Sequence, residues 1–358
     1  MTYNRILGLD IIRASAIILV LIGHLGQVGF LGNSYFCYLM GYYGVELFFV
    51  LSGFLIGQIL IKEFSKGITW KSIRQFWIKR WLRTLPLYYL VLILRIIIDH
   101  DMHSLHFIFL QNAKIAPEYD VKWFGESWSL SIEEYFYLVF LLILFLFSKV
   151  FKNFSNNVFL TIMLVTISSI SLRILMVYSN SQIDFENDIR KFTFIRLDSI
   201  AVGVFFAFIK VFALKFFNAM SHWATPIIVV SVIGIFNVKG NILVYDFVGT
   251  KLISSTIGIY INSILLASLI PFFDQIKSYD YTGRRKFMTS FIQFTALFSY
   301  CIYLIHLPIY HGIIRSSHID YLWIAQVFLS LTIIYSLSAL TFFYFERPIL
   351  NLREKWVK

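Results

Sequence analysis

Apolar runs of roughly 17 to 25 residues recur from one end of the chain to the other. Each is long enough to cross a hydrocarbon core of about 30 Å as a helix. Short polar stretches separate them. The pattern predicts ten membrane-spanning helices, near residues 6–29, 42–61, 84–99, 128–148, 157–178, 194–209, 223–238, 252–271, 291–313 and 321–344. The third and seventh are short. No period of about 20 to 50 residues repeats and no Pro/Gly/Ser-rich linker interrupts the pattern, so residues 1–358 are expected to form a single transmembrane domain. The first run carries Asp10 and Arg13 and is followed by no small-residue cleavage site, which marks a retained helix rather than a removable signal.

Composition agrees with the pattern. The chain is 58% hydrophobic and only 14% charged, too little charge to coat a soluble domain of 358 residues. A net charge of +11 would suit nucleic acid in a soluble protein, but here its distribution gives another explanation. With the amino terminus inside, segments 62–83, 149–156, 210–222, 272–290 and 345–358 fall on the same side and hold 20 of the 31 basic residues. The opposite side holds Lys114, Lys122, Arg190, Lys191, Lys239, Lys251 and Arg315. A miscounted helix would invert everything after it and scramble this bias. The expected fold is therefore an all-α integral membrane bundle of about ten helices with both termini cytoplasmic, and no nucleic-acid partner. Cys37 and Cys301 supply neither a disulfide framework nor a metal motif.

Ionisable groups inside the apolar runs are the next signal. Each costs at least ~2.5–3.5 kcal/mol in a bilayer on insertion scales, so such groups face a bundle interior or a wet cavity and mark function. Arg13 and His24 bracket ten mostly apolar residues of the first span. Eleven steps of about 100° bring them within ~20° of one helix face, about 16 Å apart in depth. Glu46, Glu133, Glu134, Arg173, Arg196, Asp198 and His306 sit toward the outer ends of other spans. Glu133 and Glu134 lie ~100° apart around their helix, so only one of them is expected to face the site. At the inner side "KRWLRTLP" puts Arg80 and Arg83 on one helical face, a spacing that ordinary positive-inside anchors also produce. Arg13 likewise has a local explanation in a pair with Asp10. "GFLIG", Gly53 to Gly57, fits a close helix crossing. His100, His103 and His106 read as a solvated loop, and no metal is expected.

In this order the motifs resemble the membrane acyltransferase-3 family across nearly the whole chain. "GLDIIRASAIILVLIGH" is similar to its opening helix, with Arg13 and His24 at the matching positions. "GVELFFVLSGFLI", "RWLRTLP", "WSLSIEEYFYL", "RLDSIAVG", "SYCIYLIHLPI" and "FERP" follow in family order. The Trp-Ser-Leu-x-x-Glu block maps the family glutamate to Glu133. The resemblance implies a multi-pass enzyme of the bacterial inner membrane. Such an enzyme moves an acyl group, usually acetyl from cytoplasmic acetyl-CoA, onto a hydroxyl of a cell-surface glycan. Many members carry a second, hydrolase-like domain. This sequence ends 14 residues after its last predicted span, so the expectation is a helical domain acting alone or with a separate periplasmic partner. On the same ground, O-antigen, capsule or exopolysaccharide is expected as acceptor before peptidoglycan.

Acyl transfer from a thioester to an alcohol needs a base, stabilisation for an oxyanion and a grip on the donor. Arginine holds phosphate bidentately, so Arg80 and Arg83 are expected to grip CoA at the cytoplasmic mouth, with Arg13 guiding its arm. His24 is the expected general base or acyl carrier. Glu133 is expected to orient it, with Glu46, Asp198 or His306 close by. The competing class is a proton-coupled transporter or glycan exporter, which also buries such groups, although neither an inverted repeat nor paired broken helices stand out.

Overall fold

A computed structural model describes residues 5–29, 35–113, 123–179, 183–223, 254–277, 285–315 and 322–356. The longer elements are α1 (Leu7–Gln27), α2 (Tyr35–Phe64), α3 (Trp70–Asp99), α4 (Trp128–Val150), α5 (Phe154–Ser179) and α6 (Asp198–Phe212). They continue with α7 (Leu214–Met220), α8 (Ile259–Ala267), α9 (Ile270–Asp274), α10 (Arg285–Tyr310), α11 (Trp323–Thr341) and α12 (Arg347–Trp356). The described residues contain no strand. Every predicted span except the seventh falls on a helix; the seventh, near 223–238, lies outside the described residues but for Trp223. Eight described helical stretches are long and apolar enough to cross a membrane. α6, at 15 residues, is shorter and is buried along most of its length.

Helix ends depart from the hydropathy pattern where charge hides them. α3 starts at Trp70, well before the apolar run that predicted a span at 84–99, and passes through Lys71, Arg74, Lys79, Arg80 and Arg83. A reciprocal cap sets that start: the Thr69 hydroxyl accepts from the Ser72 backbone at 3.1 Å, and Ser72 Oγ accepts from the Thr69 backbone at 3.0 Å.

α2 is the central helix, packed on α1 along one side and α6 along the other, while α10 lies against α1. Glycine makes the crossings close. A Cβ on Gly53 would lie 2.1 Å from the Ile200 carbonyl oxygen, and one on Gly203 would lie 2.2 Å from that of Val50. Gly57 meets Ala207 and Val204 one turn on, so the Gly53–Gly57 pair serves the α2–α6 contact that its spacing predicts. The surface has the inverse polarity of a soluble protein. Ile98, Leu146, Leu175, Ile324 and Phe328 are exposed, whereas Glu46, Arg173, Arg196, Asp198 and His306 are buried. This is the distribution a lipid solvent demands.

Candidate functional site

Arg13 and His24 are both half-buried on α1, while Ala14, Ala16, Ile17, Val20 and Leu21 between them are buried. The helical period thus brings the two ionisable groups to one face, at opposite ends of the helix. At the carboxyl-terminal end, His24 meets His306 of α10. Its Nδ1 lies 2.8 Å from His306 Nε2, with ring centroids 4.8 Å apart. His306 is fully buried, and its Nδ1 reaches the backbone oxygens of Tyr303 at 2.8 Å and Ile302 at 3.1 Å. The Tyr303 hydroxyl donates to the Glu126 carbonyl at 2.9 Å and accepts from Ser129 at 2.7 Å, tying α10 to the start of α4. Arg190 and Lys191 lie within electrostatic reach of His24.

At the other end of the face, Arg13 feels Arg83, Asp10, Arg5 and Glu133. Asp10 takes two hydrogen bonds from Arg5, both 2.8 Å. Arg13 makes no salt bridge among the described residues. Arg83 is exposed and lies within electrostatic reach of Glu346 of the "FERP" segment and of Arg13. Arg80 is placed differently. It donates to Glu133 at 2.8 Å, lies 3.4 Å from Glu134, and stacks at 3.6 Å over the Tyr137 ring. Tyr137 in turn shares a 3.0 Å hydrogen bond with Ser52 of α2, and Thr84 donates to Glu134 at 3.2 Å.

Several sequence-based placements therefore change. Glu133, expected beside His24, is held by Arg80 instead. Both Glu133 and Glu134 reach Arg80, although only one was expected to face the site, because one terminal guanidinium nitrogen, which carries two N–H groups, lies between the two carboxylates. Glu46 and Asp198 are brought to arginines rather than to His24. Arg196 donates to Glu46 and, at 3.2 Å, to Ser199. Arg173 grips Asp198 bidentately at 2.8 and 2.6 Å and also donates to the carbonyls of Ile195 and Thr256. All four side chains of these two pairs are 0% exposed. His106, read as a solvated loop residue, is buried against Trp123.

Arg190 is the residue the sequence pattern passed over. It stands in a short π-helical turn, Phe185–Arg190, with its guanidinium 5.0 Å from the Tyr42 and Trp128 rings and 2.5 Å from Glu186. A basic residue in a predicted outer loop carries no local mark of such surroundings. Its aromatic partners lie on α2 and α4, far away in the chain.

Comparison with known proteins adds an independent line. The chain is 31% identical over 231 residues to O-acetyltransferase OatA of Staphylococcus aureus, covering 58% of this chain and 35% of that protein. It is also 31% identical over 206 residues to peptidoglycan O-acetyltransferase OatA of Listeria monocytogenes, covering 52% of this chain and 32% of that one. The chain thus spans about a third of the length of these curated relatives. No solved structure matches it significantly. A family model described as an acyltransferase domain matches residues 6–345. With the motifs from α1 through α10 in family order along that match, the chain belongs to the membrane acyltransferase-3 family.

Proposed function

We propose that this protein is an O-acetyltransferase of a bacterial inner membrane. In this reading both termini are cytoplasmic, and an acyl group passes along the Arg13–His24 face of α1 to a hydroxyl of a cell-surface glycan. The observation that carries the reading is that face itself. An arginine with no salt bridge among the described residues stands at one end, and a half-buried histidine backed by a buried histidine stands at the other. Family membership and the names of the relatives support the reaction class. The bias of basic residues supports the orientation.

The donor is acetyl-CoA. Arg13 and Arg83 hold its anionic phosphates, because guanidinium stays charged at any relevant pH. Arg80, already neutralised by two carboxylates, braces α3 against α4 and supports that mouth. The acyl-bearing arm extends along α1 over about 16 Å toward His24. There the imidazole takes the proton of the acceptor hydroxyl as its oxygen bonds to the thioester carbonyl carbon. The nearby charges of Arg190 and Lys191 stabilise the developing oxyanion. Collapse of the tetrahedral intermediate breaks the carbon–sulfur bond, and His24 returns the proton to the departing thiolate.

The acceptor is a hydroxyl of an envelope glycan. The Listeria relative's name makes peptidoglycan the first to test, beside O-antigen and capsular oligosaccharides. A separate periplasmic partner fits the same scheme as a second acceptor of the acyl group. Purified protein given labelled acetyl-CoA and these glycans should release free CoA and label sugar. The His24→Ala variant, present in the membrane at the same level, should do neither. Glycan movement without label transfer would instead identify a carrier, and full activity in His24→Ala would remove the histidine from the chemistry.

A further inference from the structure

The contact between His24 and His306 has a direction that the positions of the atoms determine. A neutral imidazole carries one N–H and one lone-pair nitrogen. His306 Nδ1 lies 2.8 Å from the Tyr303 oxygen and 3.1 Å from that of Ile302. Carbonyl oxygens only accept, so the His306 proton is on Nδ1. Its Nε2 is then an acceptor, and the atom 2.8 Å away, His24 Nδ1, is the donor. His24 is left with its lone pair on Nε2.

A doubly protonated His306 would undo this order, but among the described residues no carboxylate contacts the ring to balance that charge. The ring is fully buried, and its contacts are His24, Tyr303, Tyr310 and two backbone oxygens. Besides these two tyrosines, the ionisable groups that act on the pair most strongly are Arg190, Lys191 and His311, all basic. An unpaired buried cation is costly.

We infer that His306 is a positioning residue. It fixes His24 in the Nδ1–H tautomer and so makes Nε2 the atom that takes the acceptor's proton. The inference rests on the reading of His24 as the base. When Nε2 gains that proton, the bond from Nδ1–H to His306 becomes charge-assisted and passes part of the new charge toward the Tyr303 carbonyl. An acid–base triad commonly uses a carboxylate in the third position. Here a neutral ring anchored to backbone does the orienting, and Glu133 is left to Arg80.

Two substitutions separate orientation from packing. Gln at 306 can set its side-chain oxygen where Nε2 stands and still accept from His24, whereas Leu fills the space and cannot. His306→Leu should lower kcat about 10²–10⁴-fold, the usual span of acid–base assistance, with KM for acetyl-CoA unchanged. His306→Gln should recover to within about tenfold of wild type on the same scale. Nitrogen-15 shifts of His24, assigned by their loss in His24→Gln, read the tautomer with no substrate present, so they stand even for a protein that transfers nothing. The wild type should show an unprotonated Nε2. An unprotonated Nδ1, a His306→Leu variant with undiminished kcat, or equal damage from Gln and Leu would each overturn the assignment.

Discussion

Removing the Asp198 carboxylate should unfold the bundle rather than disable chemistry, and removing Arg173 as well should reverse much of the loss. The Arg173 guanidinium donates to both oxygens of Asp198, at 2.8 and 2.6 Å, and both side chains are 0% exposed. In Asp198→Leu the cation keeps only the carbonyls of Ile195, at 2.6 Å, and Thr256, at 3.1 Å. Breaking a buried pair from one side costs about 3–5 kcal/mol. At about 1.4 kcal/mol per factor of ten, the folded fraction should fall by two to nearly four orders of magnitude. In the double variant Arg173→Met, Asp198→Leu, the uncompensated charge is gone. Apolar replacement of a buried pair is neutral or stabilising by ~1–4 kcal/mol. Against this, two carbonyls lose a donor, at about 1 kcal/mol or more each. Even a neutral replacement should therefore leave the double variant ~1–3 kcal/mol above the single one. Thermal unfolding of detergent-purified protein gives the stabilities, and label transfer per folded molecule gives the activity. Wild-type stability with lost activity in Asp198→Leu, or a double variant no more stable than the single, would contradict a structural role for the pair.

Two other outcomes follow from the geometry. Gly53→Ala places a methyl group 2.1 Å from a backbone oxygen of α6, which no side-chain rotation relieves, so folded yield should collapse; Gly125→Ala, with nothing within 4 Å, is the control and should be silent. Burial pushes the Glu186 carboxyl up, but Arg190 and Lys191, at 2.5 and 3.2 Å, outweigh it and hold the group below its ordinary range. A carboxylate depressed on folding stabilises the protein above its unfolded pKa and loses that contribution as pH falls through the folded one. The stability gap between wild type and Glu186→Gln should thus persist from neutrality down to about pH 4, near the unfolded carboxylate pKa, and close below it. A gap of constant size at all pH values would contradict the assignment.

Much of this architecture was legible in the sequence because a lipid solvent forces it to be. Apolar runs cannot hide, and a period of about 3.6 residues fixed Arg13 and His24 on one face of α1 without any knowledge of neighbours. What hydropathy missed is helix that leaves the hydrocarbon, as α3 does from Trp70 through five basic residues. Partnership was the harder part. His24 and His306 are 282 positions apart, and nothing local to either histidine names the other. Glu46 and Asp198 resembled site carboxylates because the guanidinium groups that neutralise them, Arg196 and Arg173, show only in three dimensions. Depth counted in residues placed Glu133 near His24. The reach of a long arginine side chain from α3 gives it to Arg80 instead.

The most direct test of the account is sidedness. Proteoliposomes would be selected, through a tag at the amino terminus, for molecules whose α1 begins on the outside. Labelled acetyl-CoA would be supplied outside only, with acceptor glycan sealed within. Transfer along α1 predicts label on the enclosed glycan, abolished by His24→Ala, with free CoA accumulating outside. Label that appears only when donor and acceptor share one compartment would contradict it.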